Sequence, residues 1–162
     1  MHHRIEYFQY LIDKKTFIIA NENESIVYIG WDLAYLKKLF PLAVEKRNII
    51  QQCIVDQLKE YFKGDRKSFK LKTKFYGTSF QKQVWQEIGK VDFGFVTTYG
   101  ELAQKIGRPK ASRAVGAALG KNPISIIYPC HRIIGKNGSL TGFAGGVDLK
   151  KRLLSIEKTV LS

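Results

Sequence analysis

Tyr99-Gly100-Glu101-Leu102-Ala103-Gln104-Lys105-Ile106-Gly107-Arg108-Pro109-Lys110-Ala111-Ser112-Arg113-Ala114-Val115-Gly116-Ala117-Ala118-Leu119-Gly120 reads as two short helices joined by a tight turn. Gly107 closes the first. Arg108-Pro109 separates it from the second, which proline is suited to start because its fixed φ and missing N–H fit the first helical turn. The pair predicts a helix-turn-helix. Its second helix is built from small residues, Ala111, Ser112, Ala114, Gly116, Ala117 and Ala118, around one long side chain, Arg113. Gly116 costs helix propensity, but small residues let a helix backbone approach a partner closely.

Downstream, Lys121-Asn122-Pro123 reads as a polar turn and Ile124–Ile127 as a short apolar strand. That strand delivers Tyr128-Pro129-Cys130-His131-Arg132. A thiol is a useful nucleophile only as thiolate, and a neighbouring imidazole and guanidinium are groups that lower its pKa. Consecutive side chains on an extended strand point apart, so Cys130 and His131 meet only if the chain turns after Pro129 or a water bridges them. His131 is the only histidine outside Met1-His2-His3, a terminal stretch that reads as neither tag nor metal site.

Upstream, Arg4–Leu11, Thr16–Ala20 and Ser25–Trp31 alternate apolar and polar residues, which predicts a small antiparallel meander. Glu45–Phe62 follows as a helix with Ile50, Ile54, Leu58 and Tyr61 on one face, stopped by Gly64. Cys53, beside Ile49, Ile50 and Ile54, is expected to pack in the core. The Lys-rich residues 64–76 read as a linker. The fold class is α/β in the α+β sense. Residues 1–76 form a small antiparallel-sheet domain and residues 77–162 a mainly helical one with the helix-turn-helix.

The 162 residues carry a net charge of +13. Residues 1–70 hold 12 Lys/Arg against 9 Asp/Glu, whereas residues 71–162 hold 15 against 5. Positive charge gathered around a helix-turn-helix favours a nucleic acid partner. Two cysteines make neither a disulfide framework nor a Cys-rich zinc site, and no stretch has the apolar run of a signal peptide or membrane span. A cytoplasmic, reducing setting is expected, which suits a free thiol.

Gly77-Thr78-Ser79-Phe80-Gln81 with Val84-Trp85, Thr98-Tyr99-Gly100-Glu101-Leu102-Ala103, Gly107–Gly116, Asn122-Pro123, Pro129-Cys130-His131-Arg132 and Gly142-Phe143-Ala144-Gly145-Gly146 follow one another in an order that resembles the O6-alkylguanine-DNA alkyltransferases. The resemblance runs from Gly77 to Glu157, half the chain. It implies DNA repair in which the alkyl group of a flipped-out O6-alkylguanine passes irreversibly to Cys130, each molecule acting once. His131 matches the general base, acting through water, and Glu157, 27 residues after Cys130, the carboxylate that orients it. Asn122 matches the brace of the active-site loop, and Tyr99 the donor to the extruded purine, which also meets its phosphate. Arg113 matches the side chain that fills the vacated space in the duplex. Ala111, Ser112, Ala114 and Gly116 then face the minor groove. Ile133, through its backbone amide, Phe143 and Ala144 match the base pocket, with Phe143 standing where many relatives carry tyrosine. Lys105, Arg108, Lys110, Lys121 and Arg132 are candidates for phosphate neutralisation or local structure.

The implied partner is double-stranded DNA carrying O6-alkylguanine, with O4-alkylthymine as a second candidate lesion, bound by a monomer. No cofactor is implied. Some relatives bind a structural zinc through N-terminal ligands that this chain lacks. Three rivals share parts of the pattern, of which a cysteine hydrolase would have the Cys-His pair but leave the DNA-binding half unexplained. A non-catalytic alkylated-DNA binding protein would lack the reactive cysteine, and a helix-turn-helix regulator would offer several polar base readers where this helix offers Arg113 among small residues.

Overall fold

The two-residue turn Asp13-Lys14, with φ of 49° and 64°, folds β1 (Ile5–Ile12) back onto β2 (Lys15–Glu22). Two left-handed residues are what a tight hairpin needs for its twist to match the strands. β3 (Ser25–Gly30) then pairs antiparallel with β2. The computed structural model describes residues 4–140 and 142–159, so the reading of Met1-His2-His3 lies outside the described residues. The chain divides into two units between Phe75 and Tyr76.

In the first unit the meander is extended by two short parallel strands, β4 (Val44–Glu45) beside β1 and β5 (Lys72–Thr73) beside β3. β5 falls in the stretch expected to be a linker, so that stretch is part of the sheet as far as Thr73. Two-residue strands carry no readable alternation, and only their pairing reveals them. β4 (Val44–Glu45) likewise takes Glu45 out of the helix expected to begin there. That helix, α2 (Ile49–Phe62), begins where Asn48 Oδ1 accepts the Gln51 amide at 3.0 Å.

A shorter helix, α1 (Leu33–Leu39), follows β3 and is capped by Asp32. It packs Leu36 and Phe40 in one cluster with Tyr7, Ile18, Ala20 and Val27. Phe17, of opposite parity to Ile18 on β2, meets Phe62 of α2 at 5.9 Å between ring centroids. Covered on both faces, β2 is buried from Phe17 to Glu22.

Cys53 does not pack in this core; it is exposed. The buried stripe of α2 is Gln51, Ile54, Val55, Leu58, Tyr61 and Phe62. Cys53 lies one turn from Ile49, which is 71% exposed, on the outer side of the helix. Local apolar content pointed to the wrong face because Gln51, not Cys53, enters the interior, where its amide bonds Asn21 and Tyr10.

In the second unit α3 (Ser79–Ile88) and α4 (Tyr99–Lys105) each start with a capping box, Thr78 with Gln81 and Thr98 with Glu101. α5 (Ser112–Gly120) buries Val115, Ala118 and Leu119. Trp85 of α3 donates from Nε1 to the Ala118 carbonyl at 2.8 Å. Pro109 does not start α5. It sits in a turn closed by the Ala111 amide on the Arg108 carbonyl at 2.9 Å, and the helix begins after Ala111.

Residues Ile124–Ile127 form no strand. A single bridge at Ile124 gives way to turns, with Ile126 held at a φ of 72°. A β-branched residue in the left-handed region is strained by about 1–3 kcal/mol. Burial and the hydrogen bonds around it hold it there. The chain then enters a 3-10 turn, Cys130–Arg132, and β7 (Ile133–Ile134), which pairs parallel with β6 (Thr97–Thr98). Helix α6 (Val147–Ile156) follows. No described helix is long and apolar enough to cross a membrane.

Candidate active site

The two-strand pairing of β6 with β7 sets the site. Thr97 lies opposite Ile133 and Thr98 opposite Ile134. β6 runs directly into α4, whose first residue is Tyr99, and β7 leaves the turn that carries Cys130. The aromatic ring and the thiol, 31 positions apart in the chain, are thereby brought to one place. The Tyr99 hydroxyl also touches the loop before α6, where a Cβ added to Gly142 would come within 2.7 Å of it. Gly142 has a φ of 79° as well, so glycine is required there on both counts.

Asn122 is buried and braces the loop from within. Its Oδ1 accepts the Ile124 amide at 3.0 Å, while its Nδ2 donates to the Tyr128 carbonyl at 2.8 Å and reaches Cys130 Sγ at 3.4 Å. Cys130 itself is half-buried. Burial pushes its thiol up, against the Asn122 hydrogen bond and the Lys150 charge, which favour the thiolate.

Behind Cys130 lies a buried ionic cluster. His131 and Glu157 are 0% and 2% exposed, and His131 Nε2 is 2.7 Å from Glu157 Oε2. Arg132 donates to the same carboxylate from Nε at 2.8 Å and from Nη2 at 3.0 Å, and from Nη1 to the Val91 carbonyl. Burial would raise the Glu157 carboxyl, but these hydrogen bonds and the neighbouring charges hold it at about 2. An ionised Glu157 only accepts, so His131 Nε2 carries the proton toward it. Burial also lowers the His131 pKa, opposed by Glu157 and reinforced by Arg132 and Lys150. The imidazole is neutral, and its Nδ1 has no hydrogen-bond partner among the described residues. A buried lone pair without a partner is costly in a merely structural histidine and is what a general base requires.

On α5, Arg113, Ala114 and Ala117 are exposed, a low outer face with one projecting cation. Ala111, Ser112 and Gly116 are half-buried beside it, Gly116 facing the Tyr99 ring.

A family profile described as 6-O-methylguanine DNA methyltransferase, DNA binding domain, matches residues 79–159. A methylated-DNA–protein-cysteine methyltransferase of Methanosarcina acetivorans is 45% identical over 141 residues, 86% of this chain and 90% of that one. The chain belongs to the methylated-DNA–protein-cysteine methyltransferase family. A Haemophilus influenzae member is 52% identical over 87% of this chain and 79% of its own. The crystal structure of the Mycobacterium tuberculosis O6-methylguanine methyltransferase superposes with a TM-score of 0.85 at 34% identity, covering 95% of this chain and 93% of that one.

Against this methyltransferase frame, Cys130, His131, Glu157, Asn122 and Tyr99 converge on one site. Phe143 is half-buried and Ala144 exposed in the loop that also contains Gly142. One expectation changes. The Ile133 amide is not available to a base, because it donates to the Cys130 carbonyl in closing the 3-10 turn. Of the two roles open to Arg132, phosphate neutralisation or local structure, it takes the second. It is 7% exposed and held on Glu157, because a guanidinium taken from water keeps its charge only by finding a carboxylate. Lys105, Arg108, Lys110 and Lys121 are exposed.

One site residue escaped the sequence reading. Lys150 of α6 is 1% exposed, and its Nζ donates to the Ile133 carbonyl. A cation in the run Lys150-Lys151-Arg152 looks like a solvated face. The usable signal was its helical spacing to Leu153, Leu154 and Glu157, which puts all four on one side.

The cluster predicts acid lability. Both shifts are downward, from 6.5 for His131 and from 4.5 to about 2 for Glu157, so the unfolded chain binds these protons more readily. Their contribution is full above pH 6.5. It declines below that value as His131 would protonate on unfolding, and further between pH 4.5 and about 2 through Glu157. Urea midpoints measured at stepped pH should fall as acid is added. A midpoint flat between pH 6.5 and 4.5 would show that His131 is not held neutral by the fold.

Proposed function

We propose that this protein repairs double-stranded DNA by flipping out O6-alkylguanine and taking its alkyl group irreversibly onto Cys130. The orphaned Nδ1 of a neutral, carboxylate-oriented histidine next to the cysteine carries the reading. The thiol proton passes through a water to His131 Nδ1, and Glu157 stabilises the imidazolium that results. The Cys130 thiolate forms a bond to the alkyl carbon as the carbon–oxygen bond breaks, and the electron pair departs with guanine. Burial raises the Tyr99 pKa, with the Cys130 charge acting the same way, so the hydroxyl stays protonated and donates to the leaving purine. The thioether is not hydrolysed, and the protein acts once.

Extrusion of the base falls to Arg113, which enters the stack while the small residues of α5 press into the minor groove. A DNA-bound structure of the Mycobacterium tuberculosis relative superposes with a TM-score of 0.83 at 35% identity, which supports DNA as the partner here. The protein is read as a cytoplasmic monomer. Intact-mass measurement after incubation with an O6-methylguanine duplex should show a gain of one methyl on the Cys130 peptide; a methyl on no residue overturns the proposal. Arg113→Ala should slow transfer from duplex by at least tenfold and leave transfer from free alkylguanine base unchanged, because extrusion costs roughly a few kcal/mol. Equal losses on both substrates would place Arg113 in chemistry or folding.

A further inference from the structure

We propose that Lys150 is a positioning residue for the nucleophile, its ammonium stabilising the Cys130 thiolate from the buried wall of the site. The inference rests on Cys130 being the reacting group. Two links fix the geometry. The Ile133 amide donates to the Cys130 carbonyl, and the Ile133 carbonyl accepts from Lys150 Nζ. The ammonium is therefore anchored to the same turn that carries the sulfur. α6 supplies both ends of the arrangement, since Lys150 and Glu157 lie on its inner face.

The charged and titratable groups around the thiol come from three elements. His131 and Arg132 lie on its own turn, Lys150 on α6 with Glu157 at its C-cap, and Tyr99 on α4. Arg132 and Glu157 neutralise one another, His131 is neutral and Tyr99 is protonated. Among the described residues this leaves Lys150 as the charge whose field favours the thiolate. Burial lowers the Lys150 pKa, and the Cys130 charge opposes that lowering, so the coupling between the two groups is reciprocal. A lysine 1% exposed is expensive to keep unless its charge is used. In a site of low dielectric an ammonium favours an anion far more than it would in water.

The test reads thiolate formation without DNA. Iodoacetamide alkylation of Cys130 is followed by peptide mass spectrometry from neutral to alkaline pH, in wild type, Lys150→Gln and Lys150→Arg. Glutamine keeps a donor for the Ile133 carbonyl and removes the charge; arginine keeps the charge. In Lys150→Gln the midpoint of the rate–pH curve should rise, with alkylation at neutral pH slowed about tenfold for each unit. In Lys150→Arg the midpoint should stay at or below that of wild type. A midpoint unchanged in Lys150→Gln, even with a lower rate at every pH, would reduce Lys150 to packing. If Lys150→Gln does not fold, a raised midpoint in Lys150→Arg overturns the proposal and an unraised one upholds it. Methyl transfer from an O6-methylguanine oligonucleotide is measured in parallel. A midpoint that depends on Lys150 in a protein that accepts no methyl would overturn the repair function while leaving this role of Lys150 standing.

Discussion

Replacing Cys130 by serine is expected to abolish alkyl transfer and to leave duplex binding intact. A serine hydroxyl is far less acidic than a thiol and is a weaker nucleophile toward carbon. The surroundings that assist the thiol do not close that gap. The Asn122 amide at 3.4 Å and the Lys150 charge favour an anion at this position, but burial opposes it and is the largest influence on the group. A neutral His131 would have to remove a proton from a much weaker acid. Loss of at least a thousandfold in single-turnover rate is expected, in line with removal of a covalent nucleophile. The face proposed to meet DNA, Arg113 and the small residues of α5, is untouched by the change. Intact mass after incubation with a methylated duplex, together with fluorescence anisotropy on the same duplex, checks both halves. Methyl transfer near the wild-type rate would remove Cys130 from the mechanism, and lost binding would show that the sulfur also organises the DNA face.

Glu157→Gln is expected to be the most destabilising conservative change in the second unit. The carboxylate accepts from Arg132 twice and from His131 once, all three groups being buried. A glutamine of the same shape removes the counter-charge and leaves the Arg132 guanidinium without it. Breaking a buried ion pair from one side costs about 3–5 kcal/mol. The urea midpoint should drop accordingly. Transfer in the folded fraction should fall as well, because the amide no longer fixes the His131 tautomer that exposes Nδ1. Adding Arg132→Met to Glu157→Gln should restore part of the stability by removing the stranded charge, and none of the transfer. A cost below about 1 kcal/mol for Glu157→Gln would indicate that water reaches the cluster and screens it.

Much of this arrangement was legible from residue order. The meander follows from alternation and α2, α4 and α5 from their periods and stop signals, while Cys130, His131, Asn122 and Tyr99 were named through the family resemblance. The misreadings share one form. Cys53 and Ile49 look like a buried helical face, and Ile124–Ile127 looks like a strand. Each is a judgement about which side of an element meets the interior, made from composition alone. β4 and β5 went unread for a different reason, since two residues hold too little pattern to signal a strand.

Residue order alone carried the three-strand meander, α2, α4, α5 and the motifs that mark the family, because periodicity, stop signals and motif spacing are local properties of the chain. The tertiary structure alone decided which charges go inside. Arg132 enters because Glu157, 25 positions away, is there to meet it, and Lys150 because the Ile133 carbonyl is free to accept. A buried charge is stable only with its partner in place. That partner is chosen by how the turn carrying Cys130 packs on α6, which no stretch of sequence encodes on its own.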